Sequence, residues 1–494
     1  MTSSPSDGLG WQRLDRRMLV VHPAVDLIKL VPVLLVIAIT GGTSDDRWRL
    51  GGGIALAVAV LAFGISRWFT TSYRIGTDRV ELRTGLLRRH HRSVHRDRIR
   101  TADLTANPAH RLFGLAVVRV GTGRREGGDD AELTLDAVRR VEAERLRALL
   151  LGEAPVDADA PVPELARLRW TWVRFAPLTF SAIAVVGVVW LGLFRLAEEF
   201  SLRAPVTETL REGAGRAPVW LGAVALLATA VFGAAVVFVE GWWGYRLTRA
   251  DDGGLVLRRG LLTRRTLSLE GRRLRGVELD EPLLVRLGRG ARPLALTTGL
   301  RADGQGEHVG AVGPAMPRRR AHQVAAGVLG VGEEEGTRAP LVRHPRAAVV
   351  RRLTRGVGPV LVVCAVLLAR PEAPADPVVV PILLGASVLL AVDRIRSLGH
   401  ALTGTHLVSR HGAWVRRTVV LRRGGVIGWR LTQSLTQRRA GLVTLHAVTA
   451  AGRGRYEVLD VGVDRALELV EDVTPGLLAP FVIDGRGAGR LVRR

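Results

Sequence analysis

One sequence pattern occurs three times in this chain, and this repetition constrains the fold more than any other feature. Residues 99–118 read IRTADLTANPAHRLFGLAVV, and residues 428–445, GWRLTQSLTQRRAGLVTL, align with the later part of that stretch without a gap. The middle copy, residues 273–296, is expected to fit with one residue fewer. The wide spacing indicates a repeated domain, because solenoid repeats recur every 20 to 50 residues or so.

A glycine ends the polar part of each copy, at Gly114, Gly288 and Gly441. An apolar, strand-like run follows each of them, so each glycine is predicted to form the turn that leads into the last strand of a sheet. Each copy is therefore expected to close the sheet of its own domain.

Six apolar segments in three pairs separate the repeated domains. They are predicted to be membrane-spanning helices, because about 20 apolar residues cross a bilayer. The segments are 27–42, 50–65, 175–194, 219–239, 357–369 and 378–392. The fifth has only 13 residues, so for the third pair the alternative is a buried helix pair or a re-entrant hairpin.

The basic residues predict how these segments are oriented. The chain contains 71 lysines and arginines, and only 7 of them lie in the short loops 43–49, 195–218 and 370–377. Lys and Arg concentrate on the cytoplasmic side of membrane proteins, so the N-terminus and the three large segments are predicted to be cytoplasmic. No cleavable signal peptide is apparent, which predicts a multi-pass protein of the plasma membrane whose first segment remains as an anchor.

The composition favours a membrane protein over a nucleic-acid-binding protein. The net charge is +25 and 47% of the residues are apolar, a combination that soluble nucleic-acid-binding proteins do not normally show. The arginines are spread over all flanks of the apolar segments, and membrane topology explains that distribution. We therefore expect the lipid bilayer, and no nucleic acid, as a partner.

Short strands and then one helix follow each apolar pair. Alternating polar and apolar residues surround turn glycines at Gly85, Gly260 and Gly412, which is typical of antiparallel strands. Helical periodicity ends each unit, at residues 135–152, 318–330 and 463–473. The pattern predicts an α+β protein in which a small antiparallel sheet or sandwich is capped by one C-terminal helix.

The order of these features resembles a known family. An apolar hairpin, strands with GLLRR at residues 85–89, RLFGLAVVRV at residues 111–120 and a final helix resemble the bacterial pleckstrin-homology-like (PH-like) membrane proteins of the YdbS and YdbT type. The three-copy layout is similar to the YdbT branch. The resemblance implies a curved, partly open β-barrel or sandwich capped by a helix, with a binding or scaffolding role.

The repeats and the apolar pairs together predict the domain organisation. Three transmembrane hairpins are each followed by a PH-like domain, and a basic tail ends the chain. The predicted segments are 1–66 (N-terminus and hairpin 1), 67–152 (PH-like domain 1), 153–240 (linker and hairpin 2), 241–331 (PH-like domain 2), 332–393 (linker and hairpin 3), 394–480 (PH-like domain 3) and 481–494 (tail).

Motifs of enzymes, cofactor sites and metal sites are missing from the sequence. There is no HExxH or GxSxG motif, Lys29 is the only lysine and Cys364 is the only cysteine. His90, His91 and His95 lie close in sequence, but neighbouring residues of a strand point to opposite faces. We therefore expect a protein with no enzymatic activity, no cofactor and no metal.

Transport of a small molecule or a lipid through the six helices is the alternative function. Predicted spans two to six contain no Asp, Glu, Lys, Arg or His in their cores. Ion and proton pathways normally contain such residues within the bilayer, so the sequence favours membrane-held binding or scaffold domains.

Paired arginines follow each of the three turn glycines and are candidates for binding anionic lipid headgroups. The six residues are Arg88, Arg89, Arg264, Arg265, Arg416 and Arg417. Each arginine near the inner leaflet would add about 1 kcal/mol of attraction to anionic lipids. The alternative is that they are solvated residues of a basic surface.

A protein partner is the second hypothesis for these domains. An open sheet edge can accept a strand from a membrane or cytoplasmic protein. The partner would then be another copy, giving a homo-oligomer, or a smaller membrane-flanked PH-like protein.

Overall fold

The structure is a computed structural model, and it describes most of the chain beyond residue 68. The described residues are 11–15, 17–19, 69–76, 79–85, 90–95, 101–121, 132–151, 163–179, 219–250, 253–298, 310–369 and 378–477, with single residues at 55, 58, 62, 66 and 187. The predicted span 27–42, almost all of 50–65 and the tail 481–494 lie outside them.

The chain divides into two compact units, Met1–Glu270 (unit 1) and Gly271–Arg494 (unit 2). The boundary lies within the predicted segment 241–331. Both units combine antiparallel sheets with helices, which agrees with the mixed helix and sheet class expected for PH-like domains.

Unit 1 contains two antiparallel sheets in its described part. Its strands are β1 (Gln12–Arg13), β2 (Ser72–Ile75), β3 (Arg79–Thr84), β4 (His90–His95), β5 (Thr101–Ala106), β6 (Leu115–Gly121), β7 (Glu132–Arg139), β8 (Glu164–Arg167), β9 (Arg246–Arg249), β10 (Leu255–Arg259) and β11 (Arg264–Leu269). Its helices are α1 (Pro108–Leu112), α2 (Arg140–Leu151) and α3 (Val219–Trp242). The sheet orders are β1-β2-β3-β4 and β7-β6-β5-β11-β10-β9-β8.

The first core of unit 1 has the layers expected of a PH-like domain. Val80 and Leu82 of β3 pack in one cluster with Leu104 of β5 and Val118 of β6. Leu146 of α2 belongs to the same cluster. The two sheets therefore form a sandwich that α2 caps, and each fully buried Val or Leu contributes about 1.5 to 3 kcal/mol.

Unit 2 also contains two antiparallel sheets among its described residues. Its strands are β12 (Leu274–Pro282), β13 (Gly290–Thr297), β14 (Met316–Pro317), β15 (Gly399–Leu402), β16 (His406–His411), β17 (Val415–Arg422), β18 (Gly428–Thr432), β19 (Leu442–Val448) and β20 (Arg455–Gly462). Its helices are α4 (Leu283–Leu287), α5 (Arg318–Leu329), α6 (Arg346–Leu368), α7 (Val379–Arg396), α8 (Leu435–Arg439) and α9 (Val463–Val473). The sheet orders are β14-β13-β12-β17-β16-β15 and β18-β19-β20.

The core of the third repeat repeats the layers of the first. Val419 and Leu421 of β17 cluster with Leu445 of β19, Val458 of β20 and Leu469 of α9. Helix α9 buries one side, since its apolar residues recur with helical spacing. The predicted helix 463–473 thus caps a sandwich.

Strand pairing crosses the repeats, which differs from the expectation that each copy closes its own sheet. In unit 1, β5 of the first repeat pairs with β11 of the second; we call this pairing the first junction. In unit 2, β12 of the second repeat pairs with β17 of the third; this is the second junction. The same half of the first repeat and of the second repeat therefore extends the sheet of the repeat that follows it.

The turn glycines at the start of the hairpin turns have a backbone conformation that other residues rarely adopt. Gly260 and Gly412 have φ angles of 106° and 104°. A Cβ atom at either position would overlap the carbonyl oxygen of Thr263 or Val415. Glycine is therefore required where the sequence predicted these turns.

The turn before the last strands requires a correction in the second repeat. Gly114 and Gly441 have positive φ angles of 68° and 62°, and the equivalent residue is Arg289, at 60°, and not Gly288. The N–H of Arg289 donates to the carbonyl of Arg286, and its own carbonyl accepts from Arg318 at the start of α5. The second repeat therefore has no missing residue at this turn.

Replacing Arg289 with glycine is expected to raise the free energy of unfolding of unit 2 by roughly 1 kcal/mol, because a left-handed backbone strains a residue with a Cβ. Urea unfolding of the full-length protein measures the change. Gly441→Arg is the matched reverse variant, because a Cβ there meets no atom within 4 Å. A loss of stability in Arg289→Gly would contradict the interpretation.

One helix of the described residues is long and apolar enough to cross a membrane. Within α3, Val224–Trp242 has a mean hydropathy of 2.1, and 11% of this stretch is buried. The fifth and sixth predicted spans fall on α6 and α7, which pack against each other. Those two spans and the others outside α3 stay predictions.

The third predicted span, 175–194, begins differently from the prediction. Trp170–Leu178 forms a 3₁₀ helix, and Phe175 and Trp172 within it are buried. The first residues of this apolar segment therefore belong to the protein interior, because their aromatic side chains pack within unit 1.

Candidate anion-binding site

The structure separates the six arginines that the sequence grouped together. Arg88 and Arg89 lie outside the described residues. Arg264 and Arg265 begin β11 with exposed side chains. Arg111 and Arg140 lie near Arg264, and their positive charges, with Arg111 contributing most, lower the pKa of its guanidinium.

Arg416 and Arg417 are engaged in ion pairs at the second junction. Arg416 donates to Asp393 at 2.8 Å, and Arg417 lies 3.5 Å from both Glu278 and Asp280. Asp393 supplies the counterion of Arg416, and Asp280 that of Arg417. Headgroup binding by the six residues stays a prediction, and these two have a structural role at the junction.

Other arginines converge on a cavity in unit 2, at the ends of two apolar helices. The cavity has a volume of about 370 Å³. We call it the arginine pocket. Its lining residues are Arg351, Arg352, Arg355, Arg394, Thr432, Gln433, Ser434, Gln437, Thr444, Leu459 and Asp460.

Asp460 organises the inner wall of the arginine pocket. Its carboxylate accepts from Arg351 at 2.6 Å and from Arg352 at 3.0 Å. Gln437 donates to the same carboxylate at 2.9 Å, and His344 lies 3.0 Å from the Asp460 carbonyl. The residue is 2% exposed and has a φ angle of 55°, so β20 holds this carboxylate inside the domain.

The local sequence explains how Gln437 reaches Asp460. Helix α8 begins with a capping box, in which Ser434 accepts from the Gln437 N–H and the Gln437 side chain accepts from the Ser434 N–H. This arrangement fixes the first turn of α8 and directs the Gln437 amide inward. The same Ser434 hydroxyl accepts from Arg351 at 3.2 Å.

The pocket has an excess of positive charge. One aspartate faces four arginines, and no carboxylate of the described residues forms an ion pair with Arg355 or Arg394. Both side chains are exposed at the pocket. The remaining lining groups include the hydroxyls of Thr432 and Thr444. Guanidinium groups bind phosphate and carboxylate oxygens through paired N–H donors, so the pocket can hold an anion.

Apolar helix surface begins immediately beside the pocket. Arg351, Arg352 and Arg355 lie near the start of α6, and Arg352 donates to the backbone carbonyl of Arg394, near the end of α7, at 3.5 Å. Farther along both helices large apolar side chains are exposed, among them Val362, Leu368, Ile382 and Leu389. Such a continuous exposed patch indicates contact with a membrane or a partner.

Aromatic residues collect at the end of α3 in unit 1. Trp243 packs edge to face on Trp170 with ring centroids 5.2 Å apart, and Trp242 packs on Tyr245 at 5.5 Å. Trp170 and Trp243 are 55% and 42% exposed. Tryptophan at the end of an apolar helix is typical of the interface between membrane and water.

Sequence reasoning missed the arginine pocket, although part of its signal was present. In the sequence, Arg351, Arg352 and Arg394 lie among the basic residues that flank the fifth and sixth apolar segments. Arg351 and Arg355 are four residues apart, which places them on one side of a helix. The counterion Asp460 was not detectable, because it comes from a strand 105 residues after Arg355.

Comparisons with known proteins agree with the fold. A family model described as bacterial PH domain matches residues 27–154, 183–357 and 355–474. Over 293 residues the chain is 22% identical to the UPF0699 transmembrane protein YdbT of Bacillus subtilis (strain 168). That match covers 54% of this chain and 58% of the relative, so the chain spans little more than half the length of YdbT. No solved structure matches the chain.

Proposed function

Because this chain belongs to the bacterial PH domain family, we propose that it is a multi-pass membrane protein whose PH-like domains bind anionic lipid headgroups and act as a scaffold. The relative YdbT is named a transmembrane protein, and α3 has the length and apolar character of a span. The role is binding and not catalysis, and the domains and the N-terminus lie on the cytoplasmic side.

The observation that carries this proposal is the position of the arginine pocket. Its four arginines lie where the exposed apolar surface of α6 and α7 meets the third PH-like domain. If these helices enter the bilayer, the pocket lies at the depth of the lipid headgroups. The negative potential of the inner leaflet then attracts Arg355 and Arg394, whose charges are not neutralised by a carboxylate of the described residues.

The loops after the turn glycines support the same orientation. Leu262 and Trp414 are 54% and 64% exposed, and Gly260 donates to the Trp243 carbonyl at the end of α3. In unit 2 the Ser397 hydroxyl, one residue beyond α7, donates to the Gly412 carbonyl at 2.5 Å. Both loops therefore lie beside the end of an apolar helix, where an exposed Leu or Trp can enter the headgroup region.

Short-chain phosphatidylglycerol is expected to stabilise the full-length protein against heat, whereas short-chain phosphatidylcholine is not. A ligand that binds only the folded state at 100 times its Kd stabilises it by about 2.7 kcal/mol. The double variant Arg355→Gln and Arg394→Gln is expected to weaken phosphatidylglycerol binding by about 30-fold, because each arginine contributes about 1 kcal/mol. Thermal unfolding in detergent over a lipid titration measures the change.

Arg438→Gln with Arg439→Gln is the matched control, because it removes the same charge from exposed positions on α8. Inorganic phosphate distinguishes a free anion from a lipid headgroup. Equal stabilisation by both lipids, or an unchanged phosphatidylglycerol affinity in the pocket variant, would refute headgroup binding at this site.

A further inference from the structure

The two junctions between repeats use one and the same strand register. At the first junction Arg265 lies opposite Thr105, and at the second Arg417 lies opposite Asp280. Arg265 and Arg417 each come five residues after their turn glycine. Thr105 and Asp280 each come three residues before the first residue of the short helix that follows, α1 or α4. The chain therefore builds the same antiparallel interface twice.

A second contact repeats beside each pair of strands. At the first junction the Arg111 guanidinium on α1 donates to the Leu261 carbonyl at 2.6 Å. At the second junction the Leu283 N–H at the start of α4 donates to the Trp414 carbonyl at 2.7 Å. Each short helix thus touches the loop after the turn glycine of the next repeat, so each junction consists of a ladder and a helix contact.

The two halves of a third such interface are present but open. Strand β4 is the first-repeat equivalent of β11 and β17, since His90 comes five residues after Gly85. Strand β18 is the third-repeat equivalent of β5 and β12, since Thr432 comes three residues before Leu435, where α8 begins. Within the described part of the chain, β4 neighbours only β3 and β18 neighbours only β19.

Strands that pair across a junction are more buried than their equivalents at the open edges. In β12 every residue from Gly276 to Glu281 is buried, whereas its equivalent β18 has no buried residue. In β17 four consecutive residues are buried, whereas β4 has none. At the start of α8, beside β18, Leu435 is 77% exposed.

We propose that β18 of one molecule pairs with β4 of a second copy, in the register of the two internal junctions. This register places His90 opposite Thr432 and Arg92 opposite Arg430. Open strand edges pair readily through their backbone N–H and C=O groups. The contact joins different surfaces of the two copies, so it builds a closed ring or an open chain of molecules along the membrane.

One side chain makes this third interface weaker than the internal ones. Arg430 occupies the position of Asp103 at the first junction and of Glu278 at the second. In the proposed register it faces Arg92, and like charges opposite each other on paired strands repel. Association between copies is therefore reversible, and Arg430→Glu restores the acidic residue of both internal junctions.

Crosslinking between two differently marked populations tests the contact. Both carry Cys364→Ala, which removes the only native cysteine; one also carries Arg92→Cys and the other Arg430→Cys. The full-length proteins are mixed in one membrane preparation and treated with a short thiol-to-thiol crosslinker. We expect a crosslinked dimer that contains one chain of each kind. Replacing Arg79 with cysteine gives the matched control, because Arg79 is exposed on β3 and away from the open edge.

Two outcomes would overturn the proposal. One is the absence of the mixed dimer, or equal yield with the Arg79→Cys control, in proteins whose circular dichroism matches the wild type. The other is a single chain carrying Arg92→Cys and Arg430→Cys that crosslinks only within itself.

A charge variant gives an independent measurement in the uncrosslinked protein. Arg430→Glu is expected to tighten association of the full-length protein about three- to tenfold in analytical ultracentrifugation, because it replaces repulsion by attraction across the strands. An unchanged or weaker association would contradict the proposed register. None of the substituted positions (Arg79, Arg92, Cys364 and Arg430) lines the arginine pocket.

Discussion

Replacing Asp460 with asparagine is expected to lower the free energy of unfolding of unit 2 by about 3 to 5 kcal/mol, because it leaves a buried arginine without its counterion. The Arg352 side chain is 4% exposed and lies 3.0 Å from the Asp460 carboxylate. Asparagine keeps the shape of the side chain and tolerates the positive φ angle. The loss of stability therefore measures the effect of removing the negative charge. Urea unfolding of the purified full-length protein measures it.

Two further variants test whether the lost stability comes from the ion pair itself or from a general change in the surrounding fold. Asp464→Asn removes an exposed carboxylate at the start of α9 and is expected to cost less than about 1 kcal/mol. Arg352→Met combined with Asp460→Asn is expected to recover part of the loss, because removing both charges removes their desolvation cost. A loss below about 1 kcal/mol in Asp460→Asn alone would show that Arg352 does not depend on this carboxylate.

Lowering the pH from 7 to 4.5 is expected to destabilise unit 2, because three of its histidines are held neutral by burial. Burial lowers the pKa of His322, His400 and His411 to about 4, from 6.5 in the unfolded chain. Their contribution to stability is complete above pH 6.5 and is lost as the pH falls toward 4, since the unfolded chain then binds protons that the folded chain does not. Each histidine contributes up to about 3 kcal/mol.

Glu278 has the opposite effect on the free energy of unfolding over the same pH range. Burial raises the pKa of its carboxyl to about 7, from 4.5. The folded chain therefore holds a proton that the unfolded chain releases, and this group favours folding as the pH falls through 7 toward 4.5. One carboxyl offsets about one histidine, so the net loss is on the order of 5 kcal/mol.

Urea unfolding of the full-length protein at several pH values between 7 and 4.5 measures this loss. His400→Gln is expected to make the decline with falling pH about half as steep, because Glu278 already offsets about one of the three histidines and the variant removes one of the remaining two. Glu278→Gln is expected to steepen it, because the opposing group is gone. A free energy of unfolding that stays constant over this range would contradict the pKa assignments.

The resemblance to the bacterial PH-like family was readable from the sequence and is confirmed by the family match. The resemblance rested on local sequence features. The turn glycines Gly260 and Gly412 have the positive φ angles that their sequence context predicts, and α9 spans the predicted residues 463–473. Such features depend on residues close together in the chain, so a single sequence reveals them.

Arg289 shows where local reasoning failed. A neighbouring glycine, Gly288, suggested that the second repeat was one residue shorter at this turn. In the structure the arginine takes the left-handed backbone, because the strands and helices on both sides hold the turn in place. Packing of the surrounding repeat thus overrode the preference of a single residue.

By itself the sequence determined that three similar units follow one another, that each contains strands capped by a helix, and that apolar segments with basic flanks separate them. Only the tertiary structure decided which strands pair. By its pattern, an alternating strand such as β12 fits pairing within its own repeat, pairing with the next repeat, or both. Contacts between residues far apart in the chain decide that it pairs with both β13 and β17. The same holds for the arginine pocket, because Asp460 meets Arg351 and Arg352 only once β20 lies beside α6.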